Sequence, residues 1–443
     1  MSDLTFLEQF AEKYAWRQAP AKRRFRFRKR VNRGMEEEHR LALTLGGVID
    51  RALDDDEGLQ SSDYSTYQIF EADDLVFKLI DLENIRTSRV GYVPRRGIMS
   101  PAYIRLEPAS KQSNSRFYYW FFYGAYINNI FNGMGGGVRQ NLTPTDLLEF
   151  PIPLPDLDTQ KAIADFLDRE TARIDQLIEK KRHFLSLLNN KRAAVISQVV
   201  TKGLDAAEPV KASGVDWIGT IPSSWTMMKL GYLGTCTNGI NIEGAAFGSG
   251  FPFISYGDVY KNRELPLNVS SLVQSSDADR SRYSVRTGDV LFTRTSETVE
   301  EIGFPSVCLQ SIEDAVFAGF LIRFRPRSRT LEPRFSKFAF QNTIFRDFFS
   351  KEMMLVTRAS LSQSLLKKMP VPVPPLEEQR KIADFLEKAD SKIASTVSKT
   401  ERSISLLTEL RAALITAAVT GQIDVATWGR KGQTDRCVEQ IEK

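Results

Sequence analysis

Two stretches of the chain carry apolar residues at seven-residue intervals. In the first, Leu167, Ile174, Leu188 and Val195 keep the interval, with Lys181 in its middle place. In the second, Leu386, Ile393, Leu407 and Leu414 keep it, with Thr400 in the middle. A weaker stripe, Ile163, Glu170, Leu177 and Phe184, runs beside the first. Seven-residue spacing sustained over four heptads predicts helices that pack as a coiled coil. Each stretch follows alternating prolines (151, 153, 155; 370, 372, 374, 375), which cannot continue a helix and favour extended backbone. Each then runs about 40 residues without proline, rich in strong helix formers, and stops at Gly203 or Gly421, as a helix C-terminus does. Elsewhere the apolar period shortens to two, as in Leu321-Ile322-Arg323-Phe324-Arg325, with Gly and Pro as punctuation. That predicts strands, with later helices at Ser115–Phe131 and Pro333–Ser350. Phe117–Val138 carries no charge, but only Phe117–Ile127 is densely apolar. A bilayer span needs about 20 apolar residues, so this segment predicts a buried aromatic helix followed by a loop.

The two heptad stretches are copies of one segment. Pro151–Asp205 and Pro370–Asp424 align without a gap at an offset of 219, with 22 of 55 positions identical. The anchors are Gln160/Gln379, the run IADFL at Ile163–Leu167 and Ile382–Leu386, Leu187-Leu188/Leu406-Leu407 and Arg192-Ala193-Ala194/Arg411-Ala412-Ala413. Upstream the likeness continues more weakly. Arg139/Arg358 and Leu142/Leu361 keep the offset, Tyr103–Pro108 (YIRLEP) echoes Leu321–Pro326 (LIRFRP), and Ala72–Phe77 (ADDLVF) echoes Thr287–Phe292 (TGDVLF). An internal repeat of this kind organises a fold. The chain reads as a globular head and a long helix, twice: a head at 1–150, a helix segment at 151–205, a head at 206–369, a helix segment at 370–424 and a tail at 425–443. The fold class is α+β, two similar α/β heads separated by two long antiparallel coiled-coil helices with pseudo-two-fold symmetry. In an antiparallel pair Lys181 faces Thr400, and the heads lie at opposite ends of a spacer roughly 60 Å long.

Composition narrows the chemistry. At roughly 100–200 residues per domain, 443 residues fit two to four domains. The three cysteines, Cys236, Cys308 and Cys437, form no CxxC pair, and the two histidines, His39 and His183, lie in no HExxH context. This excludes a Cys/His zinc site and a disulfide framework and fits a reduced, cytoplasmic compartment. No apolar signal segment is visible in the first 30 residues.

The net charge is only +5, but nine basic and no acidic residues lie between Arg17 and Arg33. Such a block suits nucleic acid or a membrane surface; an amphipathic helix with a Trp/Leu face, which membrane binding needs, is missing. Within it Arg23, Arg24, Arg26, Arg28, Lys29 and Arg30 interleave with Phe25 and Phe27. In a strand, Arg24, Arg26 and Arg28 share one face and the two phenylalanines the other. In the second head Arg323 and Arg325 alternate with Ile322 and Phe324, and Arg327 and Arg329 follow Pro326. Guanidinium groups bind phosphates and guanine edges, although a charged edge strand that blocks aggregation has the same pattern. Arg139 lies in the Gly-rich loop Gly133–Leu142, and with its repeat Arg358 completes the candidate DNA-contacting set. That loop fits neither GxxxxGK[ST] nor GxGxxG.

Two variable heads, each followed by a near-identical helix that opens P-x-P and continues L-x-x-Q-x-x-I-x-x-F-L, resemble the specificity subunit of type I restriction–modification enzymes. Ser213–Trp225 (SGVDWIGTIPSSW) is similar to the usual opening of that family's second target recognition domain, and Pro374–Leu386 (PPLEEQRKIADFL) to its most typical stretch. The first head departs from the pattern, with Trp16 followed by a dense basic run. The resemblance implies that each head is a target recognition domain reading one half of an asymmetric, interrupted site on double-stranded DNA. It implies helices that act as a ruler and hold two methyltransferase (modification) subunits, with restriction subunits joining. S-adenosylmethionine, ATP and Mg²⁺ then belong to partner subunits, with no cofactor in this chain, and the modified base is adenine.

No (N/D)PP(Y/F) motif, P-loop or HNH-like His pair occurs in the sequence. The acidic runs Glu36-Glu37-Glu38 and Asp54-Asp55-Asp56-Glu57 read as solvated loops, because a metal-dependent nuclease needs carboxylates arranged around the ion. The chain therefore reads as non-catalytic. The alternative is a coiled-coil interaction scaffold whose basic patches are incidental.

Overall fold

A computed structural model describes residues 13–55, 63–79, 89–134, 141–295, 302–342, 344–345, 348–349 and 360–442. The chain divides into two compact units, Met1–His183 with Thr400–Lys443, and Phe184–Lys399. The two expected long helices are Leu157–Lys202 and Leu376–Thr420. Gly203 and Gly421 follow them at φ +75° and +79°, the left-handed conformation that ends helices at glycine. The division cuts both helices near mid-length. Each head therefore folds with the start of its own helix and the end of the other, not with one whole helix.

In the first unit a four-stranded antiparallel sheet has the order Phe25–Phe27, Ile104–Pro108, Leu75–Lys78, Arg89–Tyr92. Phe25, Leu75, Phe77, Val90, Ile104 and Leu106 face a large core. The uncharged segment supplies that core: Ser115–Ile127 is a helix in which Phe117, Tyr118, Phe121 and Phe122 are fully buried. The other face of the sheet puts Val76 against Leu41, Leu43, Phe70, Val93 and Met99, contributed by or next to a second sheet, Gly47–Arg51, Arg40–Thr44, Gly97–Met99, Gln68–Phe70. The helical core also takes in Leu167 and Ile174 from the first long helix with Leu407 and Leu414 from the second.

The second unit repeats the plan. Its sheet has the order Gly234–Asn238, Leu321–Pro326, Val290–Thr293, Pro305–Val307. One face (Val290, Phe292, Ile322, Phe324) packs on a core shared with Ile196, Val199, Val200, Ile382 and Leu386 of the long helices. The other (Leu291, Leu321) packs with Phe253, Ile254, Val316 and Phe317 of a smaller sheet. The expected helix from Pro333 runs only to Ala339 before a turn. In each unit an early stretch of one long helix meets a late stretch of the other. Asp175 binds Arg411 at 2.8 Å in the first unit, and Arg192 binds Asp390 in the second. The helices are therefore antiparallel.

The joint between head and helix is built twice from the same residues. Pro151–Pro153 pairs with Gln18–Pro20, and Pro370–Val373 with Thr226–Lys229, as two-stranded ribbons. The repeated glutamine then clamps its head. Gln160 Nε2 donates to the Gln112 and Pro155 carbonyls, and its Oε1 accepts from Asn114 N. Gln379 makes the matching bonds to Thr330, Pro374 and Glu332 N. Asn114 and Glu332 in turn cap the helices Ser115–Ile127 and Pro333–Ala339. Beside each clamp an arginine two residues beyond the cap binds the long helix: Arg116 to Asp168 at 2.8 Å, Arg334 to Glu387 at 3.2 Å.

Candidate nucleic-acid interface

The basic block of the first head lies on a short 3-10 turn, Ala21–Arg23, and the edge strand Phe25–Phe27. The six candidate cations within it have different fates. Arg24 is half-buried and donates to Ser110 Oγ and Gln112 Oε1, at 3.2 and 3.1 Å. Lys29 reaches the Pro101 carbonyl at 3.3 Å, and Arg30 is ion-paired to Glu36 and Glu71. Arg23, Arg26 and Arg28 are exposed, and none of them makes an ion pair or side-chain hydrogen bond among the described residues. Phe25 is buried edge-on to Tyr118 and Phe122. Phe27, on the same face of the strand, is 41% exposed. The edge of this head thus carries a partly exposed aromatic ring and, before and after it in sequence, two guanidiniums without an ion pair among the described residues. The matching strand of the second head, Gly234–Asn238 (GTCTN), carries no cation.

The acidic run near this block is structured, not simply solvated. Arg96 binds Glu37 and Glu36, each at 2.8 Å, and Arg30 joins them. The His39 backbone N–H, then Arg96, hold the Glu37 carboxyl below the usual carboxylate range. His39 itself lies 2.8 Å from Asp50. Arg51 and Asp55 pair at 2.7 Å.

The arginine ladder of the second head is corrected by the structure. Leu321–Pro326 is an inner strand, hydrogen-bonded on both edges, and both of its faces meet a core. Arg323 is 6% exposed and donates to the carbonyls of Ser284 at 2.6 Å and Arg282 at 3.3 Å. Arg325 is bidentate to Asp289, at 2.7 and 2.6 Å. Neither side chain is turned to a ligand. Burial, then the neighbouring Arg325 charge, push the Arg323 guanidinium down to about 10. The first head has a comparable pair in Arg105 and Asp74, at 2.5 Å and almost completely buried. Burial pushes Asp74 up to about 6 against the pull of Arg105. The outer end of the ladder, Arg327 and Arg329, is exposed and without an ion pair among the described residues. Sequence reasoning missed the pairing because only its acidic half repeats: Asp74 and Asp289 hold one place in ADDLVF and TGDVLF, but Asp74 pairs with Arg105, which stands in the place of Arg323, whereas Asp289 pairs with Arg325, which stands in the place of Glu107.

Arg139 and Arg358 lie outside the described residues. Of the pairing residues, Leu167, Ile174, Leu386, Leu407 and Leu414 are buried, Thr400 is buried, and Leu188, Val195 and Ile393 are half-buried. Lys181 has a partner that the heptad did not reveal, the Glu442 carboxylate at 2.8 Å. Among the described residues no group of three His, Cys, Asp or Glu side chains is placed to hold a metal ion. Burial pushes the Cys236 and Cys308 thiols up to about 11 and about 12, which leaves them unreactive. The second long helix is long and apolar enough to cross a membrane, but Leu407, Leu414, Ile415, Ala418 and Val419 are buried in the first unit's core.

Residues 57–185 and 222–404 match the type I restriction modification DNA specificity domain, once for each head with much of its helix. The chain belongs to this family. Among curated specificity subunits it is 23% identical to the type I restriction enzyme EcoBI subunit of Escherichia coli over 333 residues, 73% of this chain and 69% of that one. It is 23% identical to the EcoKI subunit of Escherichia coli strain K12 over 311 residues, 68% of this chain and 64%, less than two thirds, of that one. Its fold is that of a chain solved in work on complex assembly and conformational transition of the type I R-M system, with TM-score 0.70, 16% identity and coverage of 92% and 98%. The HsdS subunit from Thermoanaerobacter tengcongensis aligns at TM-score 0.52, 16% identity and coverage of 92% and 97%. In this chain that fold takes the form of two heads whose main sheets share one strand order, each locked to one copy of the repeated helix.

Proposed function

We propose that this specificity chain reads a bipartite, asymmetric site on double-stranded DNA, one head per half. The observation that carries the reading is the duplicated joint: the same clamp fixes two heads of the same strand order whose outer edges differ in chemistry. Phe27 between Arg26 and Arg28 marks one edge, and threonines mark its counterpart. Equivalent frames with unlike edges suit unlike half-sites. Arg23, Arg26 and Arg28 in the first head, and Arg327 and Arg329 in the second, are exposed cations available for phosphate. Phosphate contacts position a protein on DNA; base-edge contacts in the grooves select the sequence.

In this reading the helices hold two methyltransferase subunits and restriction subunits join them. Catalysis, with S-adenosylmethionine, ATP and Mg²⁺, belongs to those partners, and the chain works in the cytoplasm. The test is methylome sequencing of a host with and without the gene. Loss of one interrupted motif is the expected result; an unchanged methylome overturns the reading. The competing scaffold reading draws on the internal pairing of Arg30, Arg323 and Arg325. It requires DNA affinity that is weak and the same for all sequences, whereas a reader keeps a large preference for its site at every salt concentration.

A further inference from the structure

The repeat allows one place to be compared between the two heads. Counted from the capping residues Asn114 and Glu332, Tyr123 of the first head corresponds to Gln341 of the second, and Gly124 to Asn342. In the long helices Arg411 repeats Arg192, and Ile415 repeats Ile196. The first head fills this place. Arg411 lies over the Tyr123 ring and donates to its hydroxyl at 3.4 Å, and Gly124 packs against Ile415 and Val419.

The second head has cavities there instead. Gln341, Asn342 and Arg263 line two adjoining cavities, of about 250 and about 280 Å³. The Gln341 Nε2 and Oε1 are buried without a hydrogen-bond partner among the described residues. Asn342 is 3% exposed; its Oδ1 accepts from the Ile344 N–H at 3.1 Å, while its Nδ2 is orphaned in the same way. Buried polar groups are normally paired, so three orphaned amide atoms on consecutive residues call for a polar occupant. The first cavity has aromatic walls, Tyr260, Phe304, Phe340, Phe345 and Phe349. Gly303 also lines it, at φ +72°, where a side chain would strike the Phe349 ring. The second cavity is lined by Arg192 and Arg263. Both bind one carboxylate, Asp390, with Arg263 at 3.5 Å. Two guanidiniums on one carboxylate leave a net positive charge, and neither cavity has a carboxylate among its described lining residues.

Aromatic walls suit a planar ring. An amide that presents a donor and an acceptor matches the N7 acceptor and N6 amino donor of adenine, the pairing that Gln and Asn make with that base. A pair of guanidiniums suits a phosphate. We propose that the adjoining cavities bind a free adenine mononucleotide, its base among the aromatic rings and on the Gln341 amide, its phosphate on Arg192 and Arg263. The nucleotide ties the loop after Tyr256–Lys261, which carries Arg263, to the long helix at Arg192. The site shares no residue with the candidate DNA contacts and does not depend on DNA reading.

The test is calorimetric titration of AMP into the full chain. One AMP per chain is expected, bound at least tenfold more tightly than CMP, adenosine or inorganic phosphate. Arg263→Ala should lower AMP affinity to that of adenosine while the melting temperature holds, because Arg192 still pairs with Asp390. Gln341→Tyr, which installs the first head's side chain, should fill the place and abolish AMP binding. Absence of saturable AMP binding to the unaltered chain overturns the proposal. Equal affinity for AMP and CMP, or AMP affinity that Arg263→Ala leaves unchanged, does so as well. A short deoxyadenosine oligonucleotide that binds more tightly than AMP, and loses that advantage in Gln341→Tyr, would assign the site to a nucleic-acid strand and also overturn it. Any of these failures leaves the DNA-reading proposal standing.

Discussion

A single arginine's role follows from which strand carries it. Arg26 lies on an edge strand, exposed and without an ion pair among the described residues; Arg105 and Arg323 lie on inner strands and are buried. The two kinds of substitution should separate cleanly. Arg26→Ala with Arg28→Ala should leave stability within about 0.5 kcal/mol, lower DNA affinity, and reduce the slope of log K against log salt by about 0.9 for each phosphate no longer neutralised. A titration at several salt concentrations measures this, and an unchanged slope removes these residues from the interface. Arg105→Ala should instead leave Asp74 buried without its counter-charge. Removing one partner of a buried pair costs about 3–5 kcal/mol, read as a drop in the urea midpoint. The arginine ladder was legible as a pattern but misleading as a site, since alternation shows which side chains share a face and not what covers that face.

At the scale of elements the decisive feature is the glutamine clamp. Gln160 and Gln379 are completely buried, and each ties three backbone groups: the end of the proline strand, the loop before the head's helix and that helix's capping residue. Gln379→Ala should leave the Thr330 and Pro374 carbonyls and the Glu332 N–H without this partner. Unmade buried hydrogen bonds cost about 1–3 kcal/mol each. The expected signature is faster amide exchange at Glu332 and along Pro333–Ala339, with the first head's Ser115–Ile127 unaffected. Equal loosening of both heads would refute a local clamp. The clamp's sequence trace is strong, because Gln160/Gln379 is an identity in the repeat, but its role could not be read there. Its partners in the heads lie 46 to 49 residues upstream, in segments that share almost no sequence.

For the whole molecule, duplicated joints with divergent heads predict modular specificity. Exchanging residues 206–369 for another family member's second head should change one half of the methylated motif and keep the other, as methylome sequencing would show. A change in both halves would mean that the heads do not read independently.

The sequence by itself determined the repeat, the two long helices with their glycine stops, the heptad seam and the family. These rest on periodicity and on local backbone preferences, which act over a few residues and are written in consecutive positions. Only the tertiary structure decided that the long helices run antiparallel, which cations remain exposed, and that Asp74 and Asp289 hold their arginines. Those outcomes depend on burial and on partners far away in the chain, and desolvation makes a charge seek a partner wherever the fold brings one.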